Sequence, residues 1–239
     1  MKTLLLLFGC ISSIYGCHPK DSTDMDQIIA YKTSDFEPTG DGSSTNWNKA
    51  DWVTILQRSH LDTPMETKVK VLYSETGIYF LFHCKDPKLK ASITEDGKHL
   101  WLEDVVEVFI WPDTAKEVYF EYELSPLNYE LPLMVMNFEG KPHRWQAWYF
   151  EDDRTIAHET SVQGGLKESN ADIESWTGEF FIPYSLLSPM GQVPPKSGTQ
   201  WRTNFTRMDY FNEKEIYWSW QDLPGSFHEI KRFGTLLFE

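Results

Sequence analysis

The chain has 239 residues, 41% of them hydrophobic, and 22 Lys and Arg against 36 Asp and Glu give a formal charge of −14. That apolar content excludes a disordered or fibrous chain. The acidic excess excludes nucleic acid as a main partner, because gripping a phosphate backbone depends on neutralising it with cations. The 10 Trp, 11 Tyr and 15 Phe exceed what solubility calls for, and flat rings in that number suit either stacking on sugars or bases or an aromatic-rich core.

Met1 and Lys2 precede an apolar run over 3–14 that is too short to span a bilayer, so the segment reads as a secretory signal. Ile14-Tyr15-Gly16-Cys17 resembles the lipobox of bacterial lipoproteins: an aliphatic residue, then a small one directly before a cysteine. Leu7-Phe8-Gly9-Cys10 has the same form, but cleavage there leaves only a few apolar residues, so Cys17 is the expected lipidation site. The expected organisation is a signal peptide over 1–16, a flexible tether over 17–26 that is polar and acidic with nothing to bury, and one domain over 27–239. The protein is then exported and lipid-anchored at the bacterial outer membrane, on its periplasmic or surface face. Of the three cysteines, Cys84 is left without a partner and reads as a buried small hydrophobe rather than a nucleophile.

From residue 27 onward short β-rich runs alternate with turn signals. Runs over 68–73 and 77–84 flank a short loop ending in Gly77 and predict a hairpin. Further strands are predicted over 105–111, 117–124, 131–137, 145–150, 156–163, 176–182, 201–210, 215–220 and 233–238, with one helical turn over 184–187. Helical periodicity is otherwise missing, which removes βαβ and bundle architectures and leaves an all-β, antiparallel β-sandwich.

Several motifs then follow in a recognisable order. Asp41-Gly42 precedes Trp47 and Trp52; Trp101, Glu103 and Asp104 run into Val106-Glu107-Val108-Phe109; Ile182-Pro183-Tyr184, Gly198, Trp201-Arg202, Asn204, Arg207 and a closing Phe233-Gly234 complete the series. This succession resembles family 9 carbohydrate-binding modules and their DOMON-like relatives over roughly residues 28–239. The resemblance implies non-catalytic binding of an oligo- or polysaccharide, pinched between two tryptophans matched here by Trp101 and Trp220. Hydroxyl contacts are implied for Glu107, with Glu121, Asn204 and Arg207 as further ligand-binding candidates. Glu121 stands where an arginine is expected and Tyr217 where an asparagine is expected, so Arg207 or Arg144 is the candidate for the missing cation. Trp47 and Trp52 are expected in the core, and Glu103-Asp104 are expected to fix a turn by accepting bonds from backbone amides.

Structural calcium is a further implication of the resemblance, with loops such as Glu151-Asp152-Asp153 as oxygen donors or as ordinary acidic surface. Two other readings stand beside sugar binding. One is a DOMON-like haem-binding electron-transfer domain, for which Met134, Met136, His143 and His83 offer ligand types. The other is a cell-surface protein-interaction subunit, marked by a flat or filled surface where a cleft is expected. Glycoside hydrolysis finds many candidate acid pairs among Glu103, Asp104, Glu107, Glu121 and Glu123, but no nucleophile elbow, phosphate loop or HExxH site. The working picture is glycan capture for a glycoside hydrolase or transporter partner.

Overall fold

The computed structural model describes residues 26–61, 64–211 and 214–239; the expected signal peptide, Cys10, the lipidated Cys17 and all of the tether except Asp26 lie outside them. The described residues form thirteen strands: β1 (Gln27–Lys32), β2 (Val53–Gln57), β3 (Thr67–Tyr73), β4 (Gly77–Lys85), β5 (Val105–Trp111), β6 (Val118–Leu124), β7 (Glu130–Phe138), β8 (Lys141–Ala147), β9 (Ala157–Gln163), β10 (Ser175–Pro183), β11 (Gln200–Asp209), β12 (Ile216–Ser219) and β13 (Gly234–Phe238). A single helical turn, α1 (Tyr184–Leu187), falls where the sequence predicts it.

The strands make two sheets of a sandwich. The first runs β8-β7-β6-β5-β11-β12, with β13 also on β11 and β1 on β13; the second runs β2-β3-β4-β10-β9. They meet where Trp218 and Ser219 pair with Gln57 and Leu56, and where β1 passes from β13 to β3. Among the described strands only the β1 pairings are parallel. The predicted β3–β4 hairpin forms, from Tyr73 opposite Ile78 to Thr67 opposite Cys84. β1 and β2 are not predicted, and the run expected over 145–150 is displaced to Lys141–Ala147. β8 is exposed at every position, so it carries no alternation to read.

The central strands of the first sheet, β5, β6 and β11, are buried on both faces. Val106, Val108 and Ile110 of β5, Phe120, Tyr122 and Leu124 of β6, and Phe205 of β11 face the second sheet and meet Phe80, Phe82 and Phe180. The intervening positions, among them Val105, Phe109, Tyr119, Leu133 and Met208, form a second cluster on the outer face, closed by Leu100, Leu223, Ile230 and Phe233 from the β4–β5 and β12–β13 connections. Each fully buried large apolar side chain contributes roughly 1.5–3 kcal/mol, so burial of Leu100, Leu223, Ile230 and Phe233 pins the loops to the sheet.

The opening motif has a structural task. Glu179 of β10 is fully buried, and its Oε2 accepts from the backbone N–H groups of Thr39, Gly40 and Gly42 and from the Thr39 hydroxyl, while Oε1 accepts from Trp47 Nε1 at 2.8 Å. Gly40 holds φ +79°, and a Cβ there would meet Thr160 N at 2.7 Å, so only glycine serves. Trp47 is core as expected. Trp52 is not: it is 39% exposed, with the Lys68 and Lys70 ammonium groups 5.1 and 5.2 Å from its ring. Cys84 is buried and unpaired, and burial pushes its thiol up to about 12, which leaves it inert.

Arg207 is fully buried among Asp86, Asp104 and Asp209. Its Nη2 donates to Asp209 and lies 3.2 Å from Asp86; Nη1 donates to Thr67 Oγ1 at 3.1 Å and to the Lys85 carbonyl at 2.8 Å; the guanidinium lies 4.5 Å over Trp218. Burial works against the charge on Arg207, but the surrounding aspartates outweigh it and raise its pKa. Removing one partner of a buried ion pair strands the others, at roughly 3–5 kcal/mol. Arg207→Met is therefore expected to lower unfolding free energy by about that much in urea denaturation; a loss below about 1 kcal/mol sinks the account.

Candidate functional site

β-Strand alternation puts Glu107 of β5, Glu121 and Glu123 of β6, and Met208 of β11 on the outer face of the first sheet, and all four line an open cleft of about 560 Å³. Its walls come from loops and from strand ends beside them: Trp101 and Leu102 precede β5, Trp145 comes from β8, Tyr210 and Tyr217 flank the β11–β12 turn, and a lip over 223–228 includes Phe227 and His228. The lip is pre-shaped, because Glu229 Oε1 accepts from the N–H groups of Gly225 at 2.6 Å and Ser226 at 3.1 Å.

Trp101 is held from several sides. His99 stacks on it at 4.2 Å between ring centroids and an interplanar angle of 17°, Trp145 stands edge-on at 6.3 Å, and the Tyr210 hydroxyl donates to its carbonyl at 2.8 Å. Glu103 and Asp104 do accept from backbone amides, as expected, but their donors are elsewhere: Ser92 and Ile93 for Glu103, Lys90 and Tyr210 for Asp104. They fasten the loop that carries Trp101.

The floor is three carboxyl groups. Glu107, Glu121 and Glu123 each bring one oxygen within 4.8 Å of the others, and all three are buried. Glu107 accepts from the Thr206 hydroxyl. One oxygen of Glu121 and both of Glu123 have no hydrogen-bond partner; the Trp101 backbone N–H approaches Glu123 outside hydrogen-bonding geometry. His228 Nδ1 is 3.7 Å from Glu121 but is engaged by the Tyr119 hydroxyl at 2.6 Å, and burial lowers its pKa, so it brings no charge. No Lys or Arg is among the described residues lining the cleft. Burial pushes Glu107 up to about 7 against the Thr206 bond. Burial first, and neighbouring carboxylates second, push Glu121 and Glu123 well above the ordinary range.

Three of the expected ligand residues, Trp101, Glu107 and Glu121, converge here, and three do not. Trp220 shares the parity of Trp218 and packs inward on Phe205 at 5.4 Å; its ring lies so close to Gly234 that a Cβ there would meet it at 2.4 Å. Arg207 alternates with Thr206 and points into the core, where its aspartates hold it. Asn204 is buried, and its Oδ1 accepts from the Gln221 N–H at 2.9 Å, anchoring the lip rather than lining the cleft. Arg144 is exposed on β8 and does not line the cleft either. Tyr217, which stands where an asparagine is expected, lines the cleft, and so do Glu123, Trp145 and His228, which are not among the expected contacts. Glu123 was signalled by its two-residue spacing from Glu121, and Tyr217 by its offset from Trp218.

The other ligand sets are not assembled. Met134 packs against the inner core and Met136 and His143 are exposed, whereas His83 sits on the outer face of the second sheet, 6.3 Å from Trp52, so no haem-ligating pair forms among them. Asp152 and Asp153 are exposed on a surface turn. The Asp86, Asp104 and Asp209 donor set does not fit calcium, because the Arg207 guanidinium already supplies its cation.

The family model described as carbohydrate family 9 binding domain-like matches residues 40–239. No curated protein matches the chain. A crystal structure of a putative carbohydrate-binding protein from Bacteroides uniformis superposes with a TM-score of 0.74 at 17% identity, covering 90% of this chain and 100% of that one. A carbohydrate-binding module family 9 from Caldicellulosiruptor kristjanssonii superposes with a TM-score of 0.64 in two complexes. That with cellotriose is 16% identical and covers 90% of this chain and 94% of that one; that with glucose is 15% identical and covers 90% and 96%. At such identities the superpositions show the shared β-sandwich.

The raised carboxyl pKa values set the sign of a pH dependence. In the unfolded chain glutamates titrate near ~4.3, so between there and about 7 the folded state holds protons that the unfolded state has released, and stability falls as pH rises. Asp86, Asp104 and Glu130 are raised too and add to the same slope in wild type and variant alike. Thermal melting of Glu123→Gln should match wild type near pH 4.5 and exceed it at pH 8, by an amount on the order of 1–3 kcal/mol. A variant less stable than wild type at both pH values contradicts a repulsive trio.

Proposed function

The chain belongs to the carbohydrate family 9 binding domain-like family, and on that premise we propose that its cleft binds an oligo- or polysaccharide without altering it. The observation that carries this reading is the cleft itself, with aromatic walls above a polar floor. A pyranose presents C–H faces, which pack on rings, and equatorial hydroxyls, which need directed acceptors and donors. Trp101 supplies the stacking face, held by His99 and Tyr210, with Trp145, Tyr217 and Phe227 completing the walls. Glu107 and Glu121 receive hydroxyls. Trp220 has no part, so the pinch is not made by two tryptophans from the expected positions. An open cleft also argues against the reading in which this surface is filled or flat for a protein partner.

The acids favour binding over hydrolysis. Glycosidases set two carboxyl groups on either side of the scissile bond, whereas Glu107, Glu121 and Glu123 rise side by side from one sheet face.

Acylation of Cys17, with 17–26 as the tether, would hold the domain at the outer membrane, where a high effective concentration makes weak binding useful to a neighbouring glycoside hydrolase or transporter. Among the described residues no helix is long and apolar enough to cross a membrane. Cys17→Ser is expected to move the protein from the membrane fraction to the soluble fraction on cell fractionation; unchanged partition removes the lipid anchor.

A glycan-array screen of the full-length protein tests the main reading. Trp101→Ala is expected to weaken the retained glycan about tenfold with unchanged melting, a stacking face being worth roughly 0.5–1.5 kcal/mol beyond its buried area. Trp220→Ala is expected to lower the melting temperature instead. Retention of the same glycans at full strength by Trp101→Ala disposes of the stacking site.

A further inference from the structure

The fold contains two acidic trios, and they differ in one respect. Asp86, Asp104 and Asp209 enclose the chain's own guanidinium, Arg207. Glu107, Glu121 and Glu123 enclose nothing of the protein, although Glu123 is fully buried with both oxygens unpartnered and Glu121 keeps a buried unpartnered oxygen. Buried carboxyl oxygens without donors are costly, and a ligand that supplies the donors recovers that cost on binding.

The spacing identifies what fits. Oxygens within 4.8 Å of one another can surround a single ammonium nitrogen, since tetrahedral N–H···O contacts of ~2.8 Å put their acceptors ~4.6 Å apart. A divalent ion also accepts such spacing. The aromatic surroundings separate the two: Trp101, Tyr217 and Phe227 attract an organic ammonium through their ring faces and pack its carbon skeleton, while a hydrated metal ion gains nothing from apolar walls.

Resting on the carbohydrate reading above, we propose that the cleft selects an amino sugar: a glycan whose unacetylated ammonium group enters the Glu107, Glu121 and Glu123 trio while its ring face packs on Trp101. One ammonium and two protons bring the trio to neutrality, and a protonated carboxyl is itself a donor to a sugar oxygen. The raised titration of all three acids agrees with that proton count near neutral pH. N-Acetylation removes the cation and adds bulk at the nitrogen, so the acetylated sugar is excluded twice.

The test is calorimetric titration of the full-length protein, solubilised in detergent at pH 7, with oligomers of glucosamine, N-acetylglucosamine and glucose of equal length and linkage. The glucosamine oligomer is expected to bind about tenfold or more tighter than either other, the scale of one charge-assisted hydrogen bond. The triple variant Glu107→Gln, Glu121→Gln, Glu123→Gln, which conserves shape and leaves no carboxylate for the ammonium, should bring that ratio near one while its melting temperature stays at or above wild type. A neutral or acetylated oligomer that binds as tightly overturns the amino-sugar inference and leaves the carbohydrate reading standing. Binding of none of the three by a folded protein overturns the amino-sugar inference, and a glycan array that also retains nothing overturns the carbohydrate reading with it. Spermine bound as tightly as the glucosamine oligomer shows a bare cation trap and overturns the inference. So does calcium that alone raises the melting temperature and displaces the glucosamine oligomer, because a metal ion then holds the trio.

Discussion

The central strands of the first sheet, β5, β6 and β11, are buried on both faces, and their two-residue alternation decides what each face receives. One register puts Val106, Val108, Phe120, Tyr122 and Phe205 against the second sheet; the other sends Glu107, Glu121, Glu123 and Met208 outward beneath the loops. A shift of one residue in β5 or β6 exchanges acids for the apolar core. The cleft is therefore bound to the packing of the sandwich: its floor is the reverse side of the core.

Burial of carboxylates is the recurrent electrostatic problem of this acidic chain, and the fold meets it in three ways. Glu179 is satisfied by N–H and O–H donors from the 39–47 segment, which thereby becomes fixed to β10. Asp86, Asp104 and Asp209 are neutralised by Arg207, and Asp86 and Asp104 also accept from backbone amides, although Asp209 Oδ1 is left without a donor. The Glu107, Glu121 and Glu123 trio receives only the Thr206 hydroxyl. A satisfied buried carboxylate serves structure, whereas an unsatisfied one at the bottom of an open cleft is the pattern of a ligand site.

Fold and ligand are separable in this architecture. Structures only 15–17% identical superpose over 90% of the chain, because alternation and two packed layers can be met by many side chains. What distinguishes a cleft is the identity of a few outward positions and the loops around them. Here those are an acid at residue 121, a tyrosine at 217, and a wall built by Trp101 on loops that Glu103 and Asp104 tie down.

The sequence by itself determined the all-β class, the β3–β4 hairpin, the spans of β5 and β6 to within a residue, and the convergence of Trp101, Glu107 and Glu121. Each of these is written in local alternation or in a motif whose residues lie close along the chain. Tertiary structure alone decided the rest. β1 is held by parallel partners far away in sequence, β8 has no buried face to pattern it, and Trp52 is exposed because of what surrounds it. Trp220 and Arg207 have the chemistry of sugar contacts but the wrong parity. The cleft draws its walls from β8 and from three connections that meet only when the sheets pack, and whether a carboxylate is satisfied depends on donors dozens of residues distant, which no local pattern encodes.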